Sequence, residues 1–140
     1  MTIKKFKEEI INWKLSKKRI INLSIAITAL LVYEFLAVPF YRPYIYSNHI
    51  YDFHIANTLS NSFGSIAIIF ICIGLIGHTR IQHIFMIKAI TIVIVIYELA
   101  HPLFGKPIER WDLVATICAG GFCFLLYRII FKNENMSLLQ

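Results

Sequence analysis

Glu98 is the residue in this sequence that most needs a reason to exist. It stands near the end of a membrane-length apolar run, where a carboxylate costs a few kcal/mol unless it meets water or a partner. His101 follows three positions later and shares its helical face. A carboxylate and an imidazole held together can move a proton, so Glu98 and His101 are the first candidates for acid–base work, with Glu34 of the earlier apolar run as the third. The same groups also suit ligand binding. Lys106, Glu109, Arg110 and Asp112 follow within a short turn, and Arg42, Asp52, His54, Asn57 and Asn61 are expected to line the same rim.

Several of these residues have a structural reading beside the chemical one. Asp52 and Asp112 precede apolar runs, where a carboxylate caps exposed N–H groups and complements the helix dipole. Asn57 and Asn61 suit interhelical hydrogen bonds. Lys106 or Arg110 could pair with Glu109 at the surface or with Glu98 below it. Glu98, His101, His54 and Asp112 could ligate a metal only without any HExxH or Cys/His spacing to support it, so no metal and no cofactor is expected. Gly-rich phosphate loops, a serine nucleophile elbow and paired CxxC motifs are missing from the sequence.

The elements that must position these groups are membrane spans. In 140 residues, 58% are hydrophobic and 16% charged, a composition that excludes an ordinary soluble domain. Four apolar stretches, about 20–40, 55–77, 84–103 and 113–131, each match the roughly 20 residues that cross a bilayer as helix. The fold class is therefore an all-α membrane protein. The first run is too long for a signal-peptide core and lacks a small-residue cleavage site, so it is expected to remain as an anchor. Cys72, Cys118 and Cys123 lie inside spans and read as small packing residues.

The formal charge is +6, but Lys4, Lys5, Lys7, Lys14, Lys17, Lys18 and Arg19 all precede the first span. Interleaved with Ile3, Phe6, Ile10, Ile11 and Trp13, they predict an amphipathic helix over 1–19 lying on an anionic membrane surface, not a nucleic-acid interface. Arg80, Arg128 and Lys132 share that side, with Lys88 near enough to snorkel. Arg42, Lys106 and Arg110 face the other. The bias predicts cytoplasmic termini and an outward-facing Glu98 cluster. His78 and His83 are expected at the cytoplasmic interface, and 132–140 reads as a short polar tail.

The two halves resemble each other. The stretch Tyr33 through Pro43 returns 64 residues later as Tyr97 through Pro107, each opening on Tyr-Glu and closing on Pro. This predicts two parallel two-helix repeats whose axis would bring Glu34 and Glu98 together at one depth. The stripes Ala56, Ser60, Gly64 and Ala115, Ala119, Cys123 would let the second helices of the halves cross closely.

The second half also resembles the VanZ-like membrane proteins. Glu98 takes that family's membrane Glu, and Gly105-Lys106 its Gly-Arg. Glu109 and Asp112 take its two acidic positions, and Ala119-Gly120 falls near its glycine. His101 replaces the usual Gln, and Thr116 the usual Asn. Asp52 and His54 match an early Asp…His segment. The resemblance implies a cell-envelope protein of the bacterial inner membrane, linked to resistance to glycopeptides such as teicoplanin. The expected function is an outward-facing polar pocket that binds a lipid-linked or glycan ligand. Its partners would be membrane lipid and a lipid-linked envelope precursor or a glycopeptide. The alternatives are an enzyme using Glu98 and His101 on an envelope lipid, or a small transporter subunit working as a homo-oligomer.

Overall fold

A computed structural model describes residues 16–76 and 79–132, and every element in them is helical. The surface helix expected over 1–19 lies outside the described residues up to position 15, as does the tail beyond Lys132. Four helices are long and apolar enough to cross a membrane: Lys17–Ser47, Ile55–Leu75, Arg80–Leu99 and Arg110–Ile130.

The first of these has three parts. Helix α1 (Lys17–Val32) opens on Ser16, whose hydroxyl accepts from the Arg19 N–H. A π-helical segment, Tyr33–Tyr41, follows and runs directly into α2 (Arg42–Ser47). Pro39 lies inside the π segment. It has no N–H to give, and its ring would meet the carbonyl four residues back, so the wider turn accommodates it without ending the helix. Pro43 sits in the first turn of α2, where a missing N–H is cheapest. The stretch beyond the first expected span, which ended at 40, is thus helical as far as Ser47.

Helix α3 is Ile55–Leu75, α4 is Arg80–Leu99 and α5 is Arg110–Ile130. A capping box of Thr79 and Gln82 starts α4. Its end comes earlier than the hydropathy suggested. Pro102 would crowd the Glu98 carbonyl, so the chain tightens into a 3-10 turn, His101–Phe104, which Gly105 closes at φ +73. Helix α5 begins at Arg110, three residues before the expected start, so Asp112 lies within its first turn and does not precede it.

Helix α3 is the hub. It packs on α1, α4 and α5, and α4 also packs on α5, while α1 and the π segment reach the remaining spans through α3. Close approach is local: a Cβ at Gly74 would come within 2.9 Å of Leu23 on α1, and one at Gly120 would overlap the Thr91 side chain on α4. The apolar core, including Ala26, Phe70, Ile73, Ile87, Cys123 and Tyr127, fills the end where α1 and α4 begin and α3 and α5 finish. Elsewhere large apolar side chains such as Ile27, Phe35, Ile92 and Phe122 are exposed, as a lipid-facing surface requires. Ser60 turns outward, so the expected small-residue stripe of α3 does not all face α5. Cys118 is likewise exposed, whereas Cys123 is buried.

Candidate functional site

At the other end of the bundle the packing is looser and polar. Glu98, the penultimate residue of α4, is 5% exposed. The early end of α4 keeps His101 close: its Nδ1 stands 3.3 Å from Glu98 Oε2, without the alignment of a hydrogen bond, and that buried oxygen has no donor. Tyr97 meets the His101 ring edge-on, with centroids 5.2 Å apart.

Helix α5 brings Asp112 and Glu109 into electrostatic reach of Glu98. The Asn61 side chain of α3 comes within interaction range of the Asp112 carboxylate. One turn further along α5, Thr116 is fully buried with an unpartnered hydroxyl. Next to Asp112, Trp111 stacks on His54 at 5.3 Å between centroids and 21° between planes. Tyr51 packs edge-on against His54 and also contacts Phe53. The loop carrying this aromatic group holds His49, Phe53 and His54 at positive φ (51, 55 and 64), a region uncommon for L-residues and more so for Phe than for His.

A cleft of about 450 Å³ runs from this cluster along the flank of the bundle between α3 and α4. Ser60, Asn61 and Ser65 lie on its α3 wall, Ile90, Val93 and Ile94 on its α4 wall, and Glu98 at its head. Ile68, Val93 and Tyr97 line it and are each at least half exposed, so it opens sideways toward the surrounding medium. A second groove of similar size, bordered by α1, α3 and α5, has only the hydroxyls of Ser24 and Thr28 among apolar walls.

Of the expected site residues, the structure thus gathers Asn61, Glu98, His101, Glu109 and Asp112, with His54 alongside through Trp111. The others are elsewhere. Glu34 is exposed on the π segment, which packs on α1, α2 and α3, so α3 stands between it and α4. The expected meeting of Glu34 with Glu98 does not occur. The reason is register: the buried stripe of α1 runs through Asn22, Ala26 and Ala29 and continues to Ala37, and Glu34 falls off that line. Asp52 is a helix-start ligand: its Oδ2 accepts from the Ala56 N–H at 2.7 Å and from the Tyr41 hydroxyl at 3.3 Å. Asn57 accepts from the Tyr46 hydroxyl. Arg42 donates to the Tyr33 hydroxyl at 3.5 Å and lies over the Tyr46 ring. Lys106 and Arg110 are exposed, and among the described residues neither forms an ion pair with Glu98, Glu109 or Asp112.

His83 lies in the first turn of α4, with its side chain turned into the bundle. It is buried in the core, its Nδ1 2.7 Å from the Tyr127 hydroxyl. Sequence reasoning passed over Tyr97, Trp111, Ser65 and the fully buried Asn22. Asn22 alone had a signal, a lone amide at the start of an apolar run. No group of three His, Cys, Asp or Glu residues among those described could hold a metal ion.

Together the fold and the site describe a helical bundle with membrane-length helices and an acidic recess at one end. Comparison with family models, curated proteins and solved structures finds no match to this chain.

Proposed function

We propose that this chain is a VanZ-like, multi-pass protein of the bacterial cytoplasmic membrane, with both termini inside. Its recess around Glu98 opens outward and binds a lipid-linked or glycan ligand of the envelope. The observation that carries the reading is the Glu98 carboxylate itself: almost fully buried, one oxygen without a donor, at the head of an open cleft. A buried acceptor left unmatched is costly, and a bound donor would remove that cost. The sequence resemblance at Glu98, Gly105, Glu109 and Asp112 supports the family and its link to glycopeptide resistance. The packing of α3 on α5 supports two parallel helical hairpins, although the carboxylates of the two halves have different surroundings.

Acid–base catalysis by Glu98 is the second reading, favoured by the 3.3 Å approach of His101. A transporter is supported less, because the apolar core closes the other end beneath the recess.

A photo-crosslinking side chain at Val93 tests the binding reading against one at Ile117, an equally lipid-accessible position on α5. Val93 should capture a membrane amphiphile with a polar head, and Glu98→Ala should reduce that capture about tenfold, the scale of one charge-assisted hydrogen bond. Equal labelling at both positions, unchanged by Glu98→Ala, would refute it.

A further inference from the structure

The cleft between α3 and α4 has a definite order of chemistry along its length. Ile90 and Ile94 stand two turns and one turn before Glu98 on one face of α4, Ile68 answers them from α3, and Glu98 closes the end. Anything lying in the cleft meets apolar wall first and carboxylate second. The carboxylate also sits in a negative field. It is at the C-terminal end of α4, where the helix dipole is negative, and Asp112 and Glu109 are its acidic neighbours, with His101 the nearest group able to offset them when protonated. His101 is the one imidazole beside it, and it leaves the buried Oε2 without a hydrogen bond. From α3, the Asn61 side chain lies within interaction range of Asp112.

From this geometry we infer that the cleft takes a single-chain amphiphile whose first polar group after the hydrocarbon is a hydrogen-bond donor, a hydroxyl or an ammonium, presented to Glu98 Oε2. The inference rests on the ligand-site reading above and deepens it by fixing the chemistry of the head. The cleft volume suits one chain and one small head group. An anion placed directly after the chain, such as a carboxylate or phosphate, would meet the Glu98 carboxylate first, with Asp112 and Glu109 nearby, and is disfavoured by like-charge repulsion. Hydroxyl and ammonium share the donor and differ in charge, so one substitution separates them. Glu98→Gln keeps an acceptor oxygen for a hydroxyl but removes the charge that holds an ammonium.

The test uses the full chain in a nonionic detergent, with native mass spectrometry reading occupancy of four probes of equal chain length: monolaurin, dodecylamine, laurate and dodecyl phosphate. Monolaurin and dodecylamine should bind about tenfold or more tightly than the two anions. Glu98→Gln should abolish the advantage of dodecylamine while sparing most of that of monolaurin. Val93→Trp, which fills the cleft from an exposed position without touching the core, should weaken all of them. If laurate and dodecyl phosphate bind as tightly as the donor probes, the head-group assignment is overturned and the cleft remains a site. If none of the four binds to a chain whose helical spectrum and melting are normal, the ligand-site reading falls with it.

Discussion

The Nδ1 of His83 on α4 and the hydroxyl of Tyr127 on α5 lie 2.7 Å apart, both side chains at most 3% exposed, inside the apolar core. A polar pair in such surroundings holds two helices in one register, because sliding either helix by a residue breaks their bond in a low-dielectric interior. The imidazole and phenol rings also meet edge to face, 5.5 Å between centroids.

Tyr127→Phe keeps the ring packing and deletes only the oxygen that His83 uses. It should lower stability by about 1–3 kcal/mol, the cost of losing the partner of a buried polar group. Thermal unfolding of the purified protein in detergent, followed by circular dichroism, measures it. A melting temperature equal to that of the parent would show that the pair contributes nothing to the bundle.

Gly120 allows α5 to approach α4 at Thr91, and an added methyl would overlap that side chain. Gly120→Ala should therefore destabilise by about 1–3 kcal/mol as an overpacked contact. Gly121→Ala is the control: a Cβ there has nothing within 4 Å, so it should be neutral or slightly stabilising through helix propensity. The pair of melting curves is informative together, since equal shifts for both would mean that the two helices are not in close contact at this point.

His49 is exposed and sits at φ 51. Left-handed backbone costs an L-residue roughly 1–2 kcal/mol that glycine does not incur, partly offset by the greater freedom of glycine in the unfolded chain. His49→Gly is expected to raise stability by about 0.5–1 kcal/mol. A clear loss would mean that the imidazole makes a contribution larger than the strain it carries.

Much of the architecture was readable because its causes are local. Four apolar runs of spanning length can hardly be anything but helices in lipid, and α4, α3 and α5 fall close to where hydropathy put them. The acidic recess was readable for a related reason. Glu98 lies on the same stripe as His83 and Ile87, the buried residues of α4, at spacings that return to one face. That stripe could have been traced along α1 as well. There it passes through Asn22, Ala26 and Ala29 and misses Glu34, so the likeness of the two halves in residue type concealed a difference in which side each glutamate occupies. The helix ends were less accessible. Pro39 bends into a wider helix while Pro102 stops one, and the difference depends on whether Gly105 can close a turn just beyond. Asp52 looked like a site residue because a cap and a ligand use the same chemistry, a carboxylate aimed at N–H groups.

The unbroken run from Lys17 to Ser47 has a mechanical consequence. At the usual helical rise its 31 residues reach roughly 45 Å, about 15 Å more than the oily layer of a bilayer. A rod of that length either leans steeply or stands proud of the acyl region by two to three turns. In the second case Tyr41, Tyr44 and Tyr46 form a post among the headgroups, tethered to the start of α3 by the Tyr41–Asp52 and Tyr46–Asn57 bonds. The floor of lipid around the bundle would then be uneven, higher on the side of the post than beside the cleft.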